Sequence, residues 1–219
     1  MADKRLRIYD NELRQVIFAE LYQRYSEPKA QRRAMTIMEA AIQCLSKQGF
    51  DGVTLEMIAR EASVTRPLIR HYFSNLDELL QTSIKYIRLL FQKVAIDAMV
   101  KAKQPDEMLA NYIDSCFFWL ENFRTHALVW LAFMHRCGRS KKARELNTAA
   151  VRTGEDRIQA LLEKGRQDGV FHFSDPVMAA KMVQSAITGG LLTYISEDLL
   201  DSRKYADEIR RLCFHVLQA

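Results

Sequence analysis

The sequence is poor in the residues that interrupt regular structure, because its 219 residues include only 8 glycines and 4 prolines. A β-sheet protein of this length needs more turn residues, so their scarcity favours long helices. Cysteine is also scarce. The four cysteines form no C-x-x-C pair, which together with the lack of a signal-peptide pattern predicts reduced thiols and a cytoplasmic location. No apolar run reaches the ~18–20 residues needed to cross a bilayer, so we expect no membrane span.

Motifs of catalysis and of cofactor binding are absent as well. The sequence contains no G-x-S-x-G, no glycine-rich phosphate loop, no H-E-x-x-H and no G-x-G-x-x-G. The acidic pair Glu155–Asp156 lies in a polar stretch and is interpreted as solvated charge. His135 and Cys137 lie close together, but no further cysteine or histidine has the spacing of a metal site. We therefore expect no enzyme, no metal site and no cofactor.

The chain has ample material for a helical core, since 48% of its residues are hydrophobic. Its formal net charge of +5 suits a nucleic-acid partner but is also common in proteins without one. Apolar residues recur at helical spacing, and Gly49 follows the first such stretch as a terminator. The patterns predict an all-α chain with helices at about 32–47, after Thr54, at 66–73, 76–101 and 105–123, from a Thr125 cap to Gly138, at 141–167 and 176–197, and after Asp201–Ser202.

Two short helices separated by three or four residues, the second capped by Thr65, form a helix-turn-helix pattern. An α-helix fits the major groove of B-DNA, and the preceding helix braces it. Arginine can bind guanine O6 and N7 together, whereas hydroxyl and imidazole groups suit phosphate oxygens. The candidate DNA-binding residues are Thr54, Thr65, Arg66, Pro67, Leu68, Arg70, His71 and Tyr72. Spacing alone leaves open a small helical bundle with an incidentally basic face.

The stretch from Gly49 to Leu80, GFDGVTLEMIAREASVTRPLIRHYFSNLDELL, resembles the signature of TetR-family transcription regulators. The resemblance covers about 50 residues and implies a DNA-binding domain. The positions with the expected spacing are Gly49–Phe50, Thr54, Ile58–Ala59, Ala62, Val64, Thr65, His71–Tyr72–Phe73, Asp77–Glu78 and Leu79–Leu80.

Four positions depart from that pattern. Ser63 replaces a usual glycine where a left-handed backbone is expected, which costs about 1 kcal/mol. Leu76 replaces a lysine that often contacts phosphate, and Pro67 replaces a common glycine. Arg70 replaces a common tyrosine, so two arginines lie on the reading face and we expect a guanine-containing operator.

The resemblance also implies a ligand-sensing and dimerising domain beyond the DNA-binding helices. We expect domains at residues 1–27 (a basic leader with a short amphipathic helix), 28–75 (DNA binding) and 76–219 (ligand binding and dimerisation). The last two long helices are expected to form a homodimer with their symmetry mates, although an amphipathic pair of this kind could also be intramolecular core. Few charged residues interrupt the candidate pocket, so an uncharged, largely apolar effector is expected. The candidate ligand-binding residues are Phe91, Tyr112, Cys116, Phe117, Trp119, Trp130, Phe133, Met134 and Met182.

The functional hypothesis is a transcription regulator, in the family's commoner mode a repressor, that binds a palindromic operator in double-stranded DNA as a dimer. A small effector would shift its conformation through the long helix after Asn75. The alternative is a DNA-binding regulator without an effector, whose C-terminal domain serves only dimerisation or protein contacts. The basic start of the leader is a candidate arm along DNA, while its amphipathic part is expected to pack on the body or on the partner subunit.

Overall fold

A computed structural model describes residues 27–197 and 201–217, so the leader predicted at residues 1–27 lies outside the described residues except for Glu27. Within those ranges all regular structure is helical, which confirms the predicted all-α class. None of the described helices combines the length and the mean hydropathy needed to span a membrane. We number the helices in chain order: α1 (Pro28–Gly52), α2 (Leu55–Glu61), α3 (Arg66–Tyr72), α4 (Leu76–Met99), α5 (Pro105–Asn122), α6 (Arg124–Cys137), α7 (Lys141–Gln167), α8 (Pro176–Ser196) and α9 (Ser202–Val216).

Helix α1 begins earlier than its apolar pattern predicts. Pro28 occupies its first turn, where a backbone N–H would have no acceptor within the helix, so a proline is tolerated there. The helix therefore begins at Pro28, whereas we expected it only from residue 32. Gly49 adopts a left-handed φ of 68° and ψ of −179°, which kinks the backbone before the helical stretch closes at Gly52. The glycine therefore interrupts the helix where the sequence predicts its end.

Capping side chains account for most of the other helix starts. Ser140 caps α7, and the carboxylates of Asp175 and Asp201 each accept two backbone N–H bonds at the starts of α8 and α9. The predicted cap at Thr125 is wrong. Helix α5 ends at Asn122 and α6 already begins at Arg124, so Thr125 lies inside the first turn.

The start of α4 resembles a capping box but differs from it in one bond. Asn75 Oδ1 accepts the backbone N–H of Glu78 at 2.9 Å, as expected for a cap. The Glu78 carboxylate, however, accepts from the backbone N–H of Ser74 at 2.8 Å and from its hydroxyl at 2.6 Å. The reciprocal bond thus goes to the residue before the cap.

The chain divides into two compact units. The first contains the described residues up to Leu90 together with Thr125–Arg139, and the second contains Phe91–Arg124 and the described residues from Ser140 onward. Helix α4 contributes to both. The division by compactness therefore does not coincide with the functional boundary predicted after residue 75, which stays a prediction.

Each unit has a core of large apolar side chains. In the first unit these include Ile37, Met38, Ile42, Leu45, Ile58, Ile69, Phe73, Leu79 and Ile87, and in the second Leu109, Phe117, Leu162, Phe171 and Ile187. Close contacts in the second unit occur at two glycines. A Cβ on Gly165 would overlap the Phe171 ring, and one on Gly190 would lie 2.8 Å from Cγ1 of Ile209.

Candidate nucleic-acid interface

The turn between α2 and α3 has the hydrogen bonds of a Schellman motif. The N–H of Val64 donates to the carbonyl of Ala59 at 2.9 Å, and the N–H of Ser63 donates to that of Arg60 at 3.2 Å. This motif requires a left-handed residue after the C-cap. Ser63 supplies it with a φ of 51°, as the sequence predicts, although it is not a glycine.

Both short helices begin with a threonine cap. The Thr54 hydroxyl accepts the N–H of Met57 at 3.3 Å, and the Thr65 hydroxyl accepts that of Leu68 at 3.4 Å. Each hydroxyl therefore stabilises its own helix start. Both threonines are exposed, so each is accessible to a phosphate.

The apolar residues of the pair point inward and leave the other side chains of α3 accessible. Ile58 and Ile69 are completely buried and Phe73 is 1% exposed, so α3 has one buried face, and it packs against α2. The accessible candidates fall into two groups. Arg66, Pro67, Arg70 and His71 are exposed, whereas Leu68 and Tyr72 are half-buried.

Arg66 has a partner that the sequence analysis did not identify. Its guanidinium forms an ion pair with the carboxylate of Glu56 in the first turn of α2. The side chains are 48% and 53% exposed, so the pair lies at the surface, where such pairs contribute only ~0–1 kcal/mol to stability. Arg70 lies one helical turn further along α3, on the same face as Arg66.

Helix α6 contacts the turn that precedes α2. The rings of Phe133 and Phe50 are 6.3 Å apart, and the Arg136 guanidinium lies 5.2 Å from the centre of the Phe50 ring. Arg136 also approaches the Asp51 carboxylate at 3.4 Å. Phe133, a candidate ligand residue, therefore packs on the turn leading to the DNA-binding helices. This position favours a role in connecting α6 with those helices.

The remaining candidate ligand residues fall in different parts of the fold. Phe133 belongs to the first unit together with Trp130 and Met134, which are both half-buried. Phe117 packs into the second-unit core, with its ring 6.2 Å from that of Tyr194 on α8. Met182 is 45% exposed on α8 and lies outside both cores, so its inclusion in a buried ligand site is not supported.

Four candidates of the second unit remain together on α4 and α5. Tyr112, Cys116 and Trp119 follow one another at helical spacing on α5 and are all buried. The Phe91 ring of α4 meets the Trp119 indole edge to face at 5.1 Å. Burial raises the pKa of Cys116 to about 12 and that of Tyr112 above its usual value, so both groups are neutral at physiological pH. We call these four residues the aromatic cluster.

The indole N–H of the aromatic cluster is buried without a hydrogen bond in the described part of the chain. Trp119 is 2% exposed, and its indole N–H has no acceptor among the described residues. A buried donor left unpaired costs about 1–3 kcal/mol. This N–H is therefore ready to donate to an acceptor placed beside it.

Helix α8 carries an exposed stripe opposite its buried face. Met178, Met182 and Leu192 are 45–55% exposed, and Ser185 and Gly189 lie between them at helical spacing. We call these five residues the α8 stripe. The small residues of α8 lie on two faces, because Ala179, Ala180 and Gly190 are buried within the second unit whereas Ser185 and Gly189 are exposed. On α9, Ile209 and Cys213 are buried, as is Leu217 just after it, whereas Leu212 is 50% exposed.

Comparison with known proteins places the helix-turn-helix in a family. Residues 37–82 match the model of the bacterial regulatory proteins of the tetR family. A curated relative, the HTH-type transcriptional regulator BetI of Agrobacterium fabrum, is 28% identical over 132 residues, which are 60% of this chain and 64% of that protein. The match therefore spans less than two thirds of that relative. The HTH-type transcriptional repressor NicS of Pseudomonas putida is 21% identical over 82% of this chain and 88% of its own length.

The fold is also found among solved structures. The transcriptional regulator FadR from Bacillus subtilis, solved in complex with stearoyl-CoA, superposes with a TM-score of 0.72. The alignment covers 84% of this chain and 99% of FadR at 20% sequence identity. The likeness at this identity concerns the fold.

Proposed function

The chain belongs to the TetR family of bacterial transcription regulators, and on this premise we propose that it is an effector-responsive repressor that binds a palindromic operator as a homodimer. The observation that carries the proposal is the exposed face of α3, with Arg66 and Arg70 one turn apart above a buried apolar face. The proposed role involves no catalysed reaction. Its site of action is the chromosome, and thus the cytoplasm.

Base reading is assigned to the two arginines. A guanidinium can donate two hydrogen bonds to guanine O6 and N7, and each such pair discriminates against other bases by about 1–3 kcal/mol. Leu68 is positioned for a thymine methyl group. Thr54 and His71 are proposed to contact phosphates, which orient the protein without reading sequence.

Selection from random duplexes tests this assignment. We expect an enriched palindrome with at least one guanine contact in each half-site and half-sites separated by about one helical turn of DNA or a multiple. Arg66→Ala and Arg70→Ala should each erase one guanine preference. A motif without guanine at any enriched position would contradict the assignment.

Dimerisation is assigned to the α8 stripe together with the exposed Leu212 of α9. Exposed apolar side chains on either side of Ser185 and Gly189 suit close packing against a second helix pair. A dimer also supplies the two recognition helices that successive major grooves require. We expect Met182→Lys to shift the protein to monomers in analytical ultracentrifugation. Val100→Lys changes a 67% exposed residue away from the stripe and should leave the dimer intact.

The effector is assigned to the aromatic cluster. Its mostly buried aromatic and thiol side chains favour an uncharged, largely apolar group, and the Trp119 N–H favours a ligand that carries one acceptor oxygen. FadR was solved with stearoyl-CoA, so long-chain acyl compounds are reasonable first probes beside aromatic ones. Binding would favour a conformation with α4 displaced, and a coupling of 1–3 kcal/mol would change DNA affinity by roughly 5–150-fold.

A thermal-shift screen with stearoyl-CoA, stearate and uncharged aromatic compounds tests this assignment. We expect at least one probe to raise the melting temperature and to release operator DNA, with both effects reduced in Trp119→Phe. Trp130→Phe is the matched control on α6. Probes that stabilise the protein equally in both variants would place the effector elsewhere, and a chain that responds to none would favour the regulator without effector.

A further inference from the structure

The α2–α3 surface carries an acid where DNA phosphates would be expected to repel one. Glu56 is 53% exposed and contacts Arg66, the first residue of α3. Side chains near the start of a recognition helix contact base edges. Glu56 also lies in the first turn of α2, where a negative charge stabilises the helix through its interaction with the helix dipole. That local benefit does not require a partner on α3.

The two reading arginines differ in their surroundings. Within the part of the chain that the structure describes, no carboxylate forms an ion pair with Arg70, whereas Arg66 is held by Glu56. A guanidinium has five N–H donors in a planar fork, so one edge can bind a carboxylate while others remain for a base. Holding a flexible side chain in its bound orientation lowers the entropy lost on binding.

Resting on the proposed DNA-binding function, we propose that Glu56 is a positioning residue that determines specificity through Arg66. Its carboxylate orients the guanidinium toward one base pair of each half-site. Its negative charge also weakens binding to unrelated DNA, because it opposes phosphates wherever the Arg66 contact is not made. Arg70 reads its base pair independently of Glu56.

The experiment is parallel selection from random duplexes with the wild type, Glu56→Ala, Arg66→Ala and Glu61→Ala. Glu61 is the matched control, since it is an acid of the same helix that pairs instead with Lys47 at 3.7 Å. We expect Glu56→Ala to lose the same base preference as Arg66→Ala, by roughly 5–150-fold, and to keep the preference read by Arg70. Glu61→Ala should keep both.

A conservative variant separates positioning from folding. Glu56→Gln keeps an oxygen that accepts from the guanidinium, so it should retain part of the preference that Glu56→Ala loses. Far-UV circular dichroism and melting curves check that the variants are folded. Unchanged base preferences in Glu56→Ala would overturn the proposed role of Glu56 but not the proposed function. So would a loss of preference at a base position that Arg66→Ala does not affect. A wild-type selection that enriches no motif would instead refute the proposed function.

Discussion

Ser63 and Gly169 occupy the same position of the same helix-ending motif, which permits a reciprocal exchange. After α7, the N–H of Val170 donates to the carbonyl of Gly165 at 2.7 Å and that of Gly169 to Arg166 at 3.1 Å, the two bonds that also close α2. The left-handed residue has a φ of 73° at Gly169 and 51° at Ser63. Glycine meets this requirement without strain, and serine does not.

The size of the effect follows from two opposing contributions. A left-handed backbone costs an L-residue about 1–2 kcal/mol. Replacing serine by glycine also lowers the free energy of unfolding by about 0.4–1 kcal/mol, because glycine increases the conformational freedom of the unfolded chain. We therefore expect Ser63→Gly to stabilise the first unit by about 0.5–1 kcal/mol and Gly169→Ser to destabilise the second by a similar amount.

Native-state hydrogen exchange measures the effect in each unit separately, since a chain with two compact units need not unfold in one step. Amide protection in α2 should rise roughly two- to fivefold in Ser63→Gly, and that at the end of α7 should fall similarly in Gly169→Ser. Ser63→Ala keeps a Cβ and should gain nothing. Equal protection in Ser63→Gly and Ser63→Ala would refute the argument from backbone strain.

Three further predictions concern packing, ionisation and the contact between α6 and the turn before α2. Gly165→Ala should destabilise the protein by about 1–3 kcal/mol in urea titrations, because the added methyl overlaps the buried Phe171 ring. An unchanged unfolding midpoint would show that the ring moves freely. Cys116 should resist iodoacetamide at pH 8 in the native protein and react after unfolding, since a pKa of about 12 leaves roughly one thiol in ten thousand ionised. Labelling is followed by mass spectrometry, and early labelling of the native protein would show that burial is incomplete. Arg136→Ala should lower stability by only about 0.5–1 kcal/mol, because it removes the contact with Phe50. It should nevertheless reduce the change in DNA affinity that an effector causes, and an unchanged effect would exclude this contact from signalling.

The features that the sequence predicted well are local. Thr54 and Thr65 cap the helices that follow them because a cap depends on a few neighbouring residues. Ser63 is left-handed because the short turn requires it, whatever residue is present. The one failed cap, at Thr125, reflects a connection between α5 and α6 that is too short for a separate capping residue.

The features that the sequence did not reveal depend on which helix faces which. Helical spacing identifies Met182 as apolar but cannot distinguish a buried face from the exposed α8 stripe. It likewise could not show that Phe133 packs on Phe50 or that Glu56 meets Arg66, because each contact joins residues on different elements. The missing hydrogen bond of Trp119 depends on which groups surround the buried indole, and no local pattern shows this.

Fluorescence anisotropy with the selected duplex tests the central claim most directly, by comparing the wild type with the double variant Arg66→Ala/Arg70→Ala at two salt concentrations. We expect tight, salt-sensitive binding by the wild type and a loss of about 1–3 kcal/mol for each arginine that contacts a base, with weak non-specific binding left in the variant. Equal affinities of the two proteins for this duplex at both salt concentrations would contradict the assignment of α3 as the reading helix.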